Sequence, residues 1–259
     1  MADNIGEIIL SRPDIQEKHF ENLEEKIGIN FNNPELLVQA FVHRSYLNEN
    51  REFPTGHNER LEFLGDAVLE LVITEYLYNK YGNPEGELTN WRAALVNAKM
   101  LASVAYEIGF ENFLFLSHGE SKDEGTKARD YILANTMEAL IGAIYLDLGY
   151  DSAKQFISRW VITKLPYILE NGLYMDPKSR FQESSQEITG ATPVYRVLDE
   201  QGPDHMKFFK VGVFLDKEMI AVGEGMSKQE AQSEAAEAAL KIKGWKGPKV
   251  NIIEINEEK

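Results

Sequence analysis

The feature that most restricts the fold of this chain is a change in hydrophobic periodicity near residue 171. Between about residues 16 and 170, apolar residues recur at steps of three and four, which is the spacing of amphipathic helices. Farther along, the segment Lys207–Asp216 alternates apolar residues with other types, as half-buried strands do. The sequence therefore predicts an all-α unit followed by a separate α+β unit.

The predicted elements follow this division. The first unit is expected to hold about seven helices, the clearest near residues 33–42, 58–81, 86–95, 97–108, 127–147 and 151–170. The second unit has the order αβββα, at Pro177–Ile188, Val194–Glu200, Lys207–Asp216, Met219–Gly223 and Ser227–Lys241. The predicted boundaries are a first domain at 1–171, a linker at 172–176, a second domain at 177–245 and a flexible tail at 246–259.

Composition narrows the class of protein. Of the 259 residues, 43% are hydrophobic and 27% charged, which is typical of globular rather than disordered chains. The absence of cysteine excludes disulfides, thiolate nucleophiles and thiolate zinc sites. The longest uncharged apolar run, Ala139–Leu146, is shorter than the roughly 18 residues of a membrane span, and the N-terminus does not resemble a secretory signal. We therefore expect a cytoplasmic protein without a membrane partner.

The formal net charge of −15 argues at first sight against a polyanionic partner, because phosphate binding usually draws on an excess of Lys and Arg. The negative charge is unevenly distributed, however. Most of it lies in residues 1–176, whereas residues 177–245 are nearly balanced. The two segments are therefore expected to have different roles.

Three carboxylates share one strip of the helix predicted at residues 58–81. At about 100° per residue, Glu62 lies about 60° and Asp66 about 20° from Glu59 around the helix axis. The buried side of the same helix is predicted to carry Leu61, Leu64, Val68, Leu71 and Val72. The acidic strip therefore faces away from the core, and a simple solvated face is one interpretation of it.

Two neighbouring residues favour a functional interpretation of this strip. Phe63 lies beside the acids rather than with the core leucines, and an exposed aromatic side chain suggests a partner surface. Gly65 costs a helix about 1 kcal/mol relative to alanine, so another element is expected to approach closely at that point.

A second helix repeats the polar arrangement. Asn135 and Glu138 lie within about 60° of each other, beside the small residues Ala139 and Gly142. If the two helices pack side by side, they form one oxygen-rich cluster from Glu62, Asp66, Asn135 and Glu138. Mg²⁺ uses few carboxylates and keeps several waters, so this donor set predicts a magnesium site.

Two segments resemble the signatures of a known family. HNERLEFLGDAVL (His57–Leu69) resembles the ribonuclease III signature, and ILANTMEALIGAIYLD (Ile132–Asp147) resembles that family's second acidic segment. The αβββα unit is similar to the family's double-stranded RNA-binding domain. The resemblance spans roughly residues 17–245. It implies a multidomain protein with an all-α ribonuclease III endonuclease domain followed by an α+β double-stranded RNA-binding domain.

The resemblance also implies an activity. Proteins of this family are Mg²⁺-dependent endoribonucleases, with Mn²⁺ as a candidate substitute, that process double-stranded ribosomal RNA and other transcripts and leave 5′-phosphate and 3′-hydroxyl ends. Glu62, Asp66 and Glu138 are implied as catalytic or metal-binding carboxylates, with Glu59 as a secondary acid. Phe63 matches the aromatic residue that inserts into the partner subunit of the family's homodimers.

The sequence departs from the family pattern at Asn135, where the second acidic segment usually has aspartate. An amide oxygen still binds Mg²⁺ or orients its water, but one negative charge is lost. A non-cleaving or weakly active double-stranded RNA-binding protein with the same fold therefore remains an alternative. A third interpretation treats the acidic strips as solvated surface and the αβββα unit as a protein-interaction domain.

The RNA-binding domain is expected to use three surfaces to recognise the shape of duplex RNA. The resemblance implies its first helix, the loop between its first two strands and the start of its last helix, represented here by Gln182, Glu183, Gly202, Pro203, Asp204, His205, Lys228 and Gln229. Gln229 stands where a second lysine is common. A weaker phosphate contact with a shallower salt dependence is therefore expected.

Overall fold

The computed structural model describes residues 11–123, 125–203, 207–246 and 251–255. Contacts within this part of the chain form two compact units. The first contains the described residues up to Leu165 together with Glu254 and Ile255, and the second contains Pro166–Ile253.

The first unit is built from helices, as predicted. In chain order its helices are α1 (Pro13–Gln16), α2 (Phe20–Ile27), α3 (Pro34–Ala40), α4 (Arg44–Glu49), α5 (Glu59–Lys80), α6 (Glu85–Val96), α7 (Ala98–Ile108) and α8 (Lys127–Trp160), with 3₁₀ turns at Phe110–Asn112, Glu120–Lys122 and Ile162–Lys164. The next helix, α9 (Leu165–Glu170), begins at the last residue before the division. Gly149 interrupts α8 with a φ of 83°, at the break predicted between residues 147 and 151. The helix predicted to run on to residue 170 instead ends at Trp160.

The core of the first unit lies where α5 packs along α8. Val68 and Val72 of α5 and Met137 and Leu140 of α8 are buried there. Leu71 was predicted on the buried face, and this prediction is wrong because its side chain is 58% exposed. On the helical wheel Leu71 lies at the edge of the apolar face nearest Phe63, so packing against α8 leaves it outside the core.

The second unit has the predicted αβββα order. Its elements after α9 are α10 (Pro177–Thr189), β1 (Val194–Gln201), β2 (Phe208–Leu215), β3 (Glu218–Gly225) and α11 (Lys228–Lys243). The strands form an antiparallel sheet in the order β1-β2-β3. A Cβ added at Gly223 would overlap backbone atoms of Ala231 and Ala235, so the alanine face of α11 lies directly on β3.

The division between the two units lies earlier in the sequence than the predicted linker at 172–176. Residues from Pro166 onward group with the second unit. Within that unit, Lys246 Nζ lies 2.8 Å from Glu170 Oε1, and the Leu173 amide donates to the Ile168 carbonyl. These contacts attach the α9 segment to the second unit.

The C-terminal segment differs from the expected loose tail. Glu254 forms an antiparallel bridge with Tyr81, and the Ile255 amide donates to the Lys80 carbonyl at 2.9 Å. Residues 254 and 255 therefore pair with the end of α5.

One stretch, Lys127–Glu170, contains a window long and apolar enough to cross a membrane. However, 61% of this window is buried inside the protein, as in the core helix of a globular domain. This is weak support for a membrane span.

Candidate active site and RNA-binding surface

The crossing of α5 and α8 is closest at two glycines. A Cβ added at Gly65 would overlap the carbonyl oxygen of Glu138, and one added at Gly142 would overlap the carbonyl oxygen of Leu61. Both glycines are helical, so the reason for glycine here is the absence of a side chain rather than backbone freedom. The close approach predicted at Gly65 is confirmed, and it brings the Glu138 turn of α8 against the Glu62–Asp66 turn of α5.

Burial and neighbouring charges raise the pKa of two of the predicted carboxylates at this crossing. Burial, followed by the charges of Asp66 and Glu62, raises the pKa of Glu138 to about 7. Burial, followed by the charges of Glu59 and Asp66, raises the pKa of Glu62 above its usual value. Both shifts disfavour the ionised form. The structure therefore brings Glu62, Asp66 and Glu138 together as a crowded acidic group, named here the carboxylate cluster.

Glu59 stands at the edge of this cluster. Its carboxylate lies 3.5 Å from Arg44 Nη1 and 3.8 Å from His57 Nδ1. Arg44 begins α4, and His57 precedes α5. Glu59 is therefore partly neutralised from outside the cluster, which fits a secondary acid better than a primary ligand.

The fit of the site to a metal ion rests on its donor chemistry. Among residues 11–123, 125–203, 207–246 and 251–255, no group of three His, Cys, Asp or Glu side chains is arranged to hold a metal ion by itself. Half-buried Asn135 lies one turn before Glu138 and adds an amide oxygen to the same edge of α8. A buried carboxylate whose pKa is raised by burial and by neighbouring acids, beside an amide oxygen, matches an ion that takes few protein ligands and keeps its waters.

Phe63 projects beside the carboxylate cluster and is 82% exposed. Two further large side chains of α5, Leu71 and Tyr78, are also exposed. These three residues form an apolar strip along α5 that the described residues do not cover, as expected for a partner surface.

The predicted RNA-binding residues of the second unit lie on its surface where the structure describes them. Gln182 and Glu183 of α10 are exposed, as are Pro203, Lys228 and Gln229. Asp204 and His205 lie outside the described residues. Ser227 caps α11 by accepting a hydrogen bond from the Glu230 amide at 3.1 Å. The three predicted surfaces therefore stay predictions, with exposure in their favour.

Both units of the chain are similar to known protein families. A ribonuclease-III-like family model matches residues 33–165, and a double-stranded RNA binding motif matches residues 177–243. Ribonuclease 3 of Bacillus velezensis is 43% identical over 227 residues, covering 86% of this chain and 89% of that protein. Ribonuclease 3 of Carboxydothermus hydrogenoformans is 45% identical over 223 residues, covering 85% of this chain and 94% of that protein.

The chain belongs to the ribonuclease III family. It is an endoribonuclease, and its helical nuclease domain is followed by a double-stranded RNA-binding domain, so the predicted family, fold class and enzyme class are confirmed. A solved nuclease domain of ribonuclease III from Campylobacter jejuni agrees, with a TM-score of 0.52, 39% identity and coverage of 57% of this chain and 99% of that one.

Two ion pairs in the structure were not predicted from the sequence. Arg44 meets Glu59, and Glu200 at the end of β1 lies 4.0 Å from Lys228 Nζ. Each pair joins different elements, at separations that no helical or strand period links.

Proposed function

We propose that this ribonuclease III cleaves double-stranded RNA in a reaction that requires a divalent ion, Mg²⁺ with Mn²⁺ as a substitute, and leaves 5′-phosphate and 3′-hydroxyl ends. The observation that carries the proposal is the carboxylate cluster, where the pKa of Glu138 rises to about 7. A bound cation offsets the repulsion that otherwise protonates such a group.

The carboxylate cluster and Asn135 together are the proposed ligands of the ions. Glu62, Asp66 and Glu138 supply charged oxygen ligands, and Asn135 supplies a neutral one. Two divalent ions held there would activate the attacking water and stabilise the leaving oxygen of the phosphodiester. No side chain is then required as a nucleophile, in agreement with a site that contains only acids and an amide.

We further propose that the active form is a homodimer in which Phe63 of each protomer contacts the partner. Its 82% exposure next to the carboxylate cluster supports this assignment. A solved ribonuclease III nuclease domain from Campylobacter jejuni is described as having a flexible region involved in dimer formation. In a dimer, two carboxylate clusters act on one RNA duplex.

The natural substrates proposed are ribosomal RNA precursors and other structured transcripts, processed in the cytoplasm. Support for these assignments comes from the family resemblance and from the cysteine-free composition. Depleting the protein in its host tests the substrates, because uncut precursors with duplex segments should accumulate. Normal precursor levels after depletion would contradict the assignment.

A direct cleavage assay tests the proposed reaction. The purified protein is incubated with a long duplex RNA in Mg²⁺, in Ca²⁺ and in EDTA. We expect short duplex products in Mg²⁺ only, with 5′ ends that accept a labelled phosphate only after phosphatase treatment. Duplex binding without cut products in Mg²⁺ would contradict the proposed reaction, and cutting in EDTA would remove the metal requirement.

A further inference from the structure

The start of α11 carries little net positive charge for a surface expected to meet RNA phosphates. Lys228, its first residue, lies 4.0 Å from Glu200, which also pairs with Lys207 at 2.7 Å. Gln229 is neutral, and Glu230 adds a negative charge to the first turn. Phosphate binding at this helix start therefore has to compete with carboxylates already in place.

A lysine from another helix reaches the same face. Lys178 Nζ of α10 donates a hydrogen bond to Gln232 Oε1 of α11 at 2.7 Å. Gln232 lies four residues after Lys228, which places it about 6 Å along the helix axis and about 40° around it. The ammonium of Lys178 thus lies one turn from Lys228 on the same side of α11.

Lys178 differs from the neighbouring lysines in its partners. In the part of the chain that the structure describes, its ammonium meets the Gln232 amide oxygen and the ring of Tyr195, whose centroid is 5.4 Å away, and it forms no ion pair. Lys210, by contrast, is paired with Glu224 at 3.2 Å. The Asp176 carboxylate, which caps α10, interacts with Lys178 electrostatically without forming an ion pair. Because the direct partners of the ammonium are neutral, it keeps spare donors for an incoming anion.

We propose that Lys178 is a phosphate-binding residue of the duplex RNA surface, supplying from α10 the charge that α11 lacks at Gln229 and Gln232. This inference rests on the duplex RNA binding proposed above. Each phosphate neutralised by a lysine releases condensed counterions, so the contact is visible in the salt dependence of binding. The hydrogen bond to Gln232 positions the ammonium, but the charge provides the binding.

The test measures binding of the full-length protein to a duplex RNA of about 30 base pairs in EDTA, so that the RNA stays intact, over a range of KCl concentrations. Lys178→Gln should lower the slope of log affinity against log salt by about one, and weaken binding about fivefold at 0.15 M salt. Lys241→Gln is the matched control. It removes a lysine at the far end of α11 that pairs with Glu237, and should leave the slope unchanged.

Two more variants separate charge from structure. Gln232→Met breaks the link between α10 and α11 but keeps the lysine, and should retain the slope. Lys178→Gln combined with Gln232→Lys returns the charge from α11 itself, and should restore the slope even if the single variant is less stable to heat.

Three outcomes would overturn the inference. An unchanged slope in Lys178→Gln shows that no phosphate contact was lost, and an equal loss in Gln232→Met shows a purely structural role. Failure of the unmodified protein to bind duplex RNA overturns the proposed function together with this inference, whereas normal binding with an unchanged slope overturns the inference alone.

Discussion

The surroundings of Glu138 disfavour the ionised form of its carboxylate. Burial at the α5–α8 crossing comes first among the causes, and the charges of Asp66 and Glu62 follow. A group held in this way is unsuited to a purely structural role, because a neutral residue of similar shape would fit the same place at lower free energy. The carboxylate cluster therefore lowers the stability of the fold, as expected if it serves the proposed metal site.

Glu138→Gln should abolish cleavage while leaving duplex affinity unchanged. The amide keeps the shape of the side chain but removes a charged ligand, whereas the RNA-binding residues lie in the other domain. Cleavage in Mg²⁺ and binding in EDTA are measured on the same preparation, with Glu70→Gln on an exposed position of α5 as control. Unchanged cutting by Glu138→Gln would show that the active site lies elsewhere.

The same substitution should alter the pH dependence of stability without metal. Because the folded-state pKa of Glu138 is raised to about 7, the native state retains its proton between about pH 4.5 and 7 while the unfolded state loses it. Stability of the unmodified protein therefore falls as pH rises through this window.

Glu138→Gln removes this loss of stability. Thermal unfolding in EDTA should show the variant several degrees more stable than the unmodified protein at pH 8, with the difference shrinking at pH 5. Glu70→Gln again serves as control. Parallel melting curves for Glu138→Gln and the unmodified protein at both pH values would contradict the assigned burial and crowding.

Asn135→Asp should maintain or raise cleavage at low Mg²⁺. The added carboxylate strengthens metal binding, because Mg²⁺ prefers charged oxygen ligands. The measurement is the Mg²⁺ concentration at half-maximal rate, which should decrease in the variant. A clear loss of cleavage would instead mean that the amide of Asn135 is specifically required.

At the scale of elements, the site depends on how closely α5 and α8 approach. Gly65 and Gly142 allow each helix to touch the backbone of the other, so the turns that carry Glu62, Asp66 and Glu138 lie against each other. The site is therefore a property of the pair of helices rather than of either one alone.

Gly65→Ala should destabilise the nuclease domain, because the new methyl group would overlap the Glu138 carbonyl and force the helices apart. Overpacking of this kind costs about 3 kcal/mol at its upper range, far more than the gain in helix propensity of about 1 kcal/mol. Gly86→Ala on α6, where a Cβ meets nothing within 4 Å, is the matched control and should be neutral or mildly stabilising. Chemical denaturation measures both, and equal stability of the two variants would contradict the close crossing.

Much of the nuclease site was predictable because it lies within regular helices. The wheel geometry of residues 58–81 places Glu62 and Asp66 on one strip, and the helical cost of Gly65 indicates a close neighbour. Leu71 was misplaced, since a helical wheel identifies the centre of an apolar face better than its edge. The helix boundary at Trp160 and the pair formed by Arg44 and Glu59 depend on tertiary packing, which no local period encodes.

In the molecule as a whole, the negative net charge opposes the binding of RNA. A chain with a net charge of −15 has to bind a polyanion. The RNA-binding domain is nearly balanced in charge, and cations at the proposed metal site would offset the repulsion in the nuclease domain. Binding and cleavage should therefore depend differently on salt and on divalent ions.

The exposed strip on α5 leads to a prediction about assembly. Phe63→Ala should weaken self-association, because a large aromatic side chain that becomes buried at an interface contributes strongly to its affinity. Sedimentation velocity over a dilution series should show the variant dissociating at a concentration at least about tenfold higher than the unmodified protein.

Ile242→Ala is the control for this prediction, since Ile242 is 66% exposed on α11 and plays no part in the proposed dimer surface. Cleavage by Phe63→Ala should fall most at low protein concentration, where monomers dominate, and recover as the concentration rises. A dimer that resists dilution equally in both variants would reject Phe63 as an interface residue and leave its exposure without explanation. Activity lost at all concentrations would instead place Phe63 within the catalytic site itself.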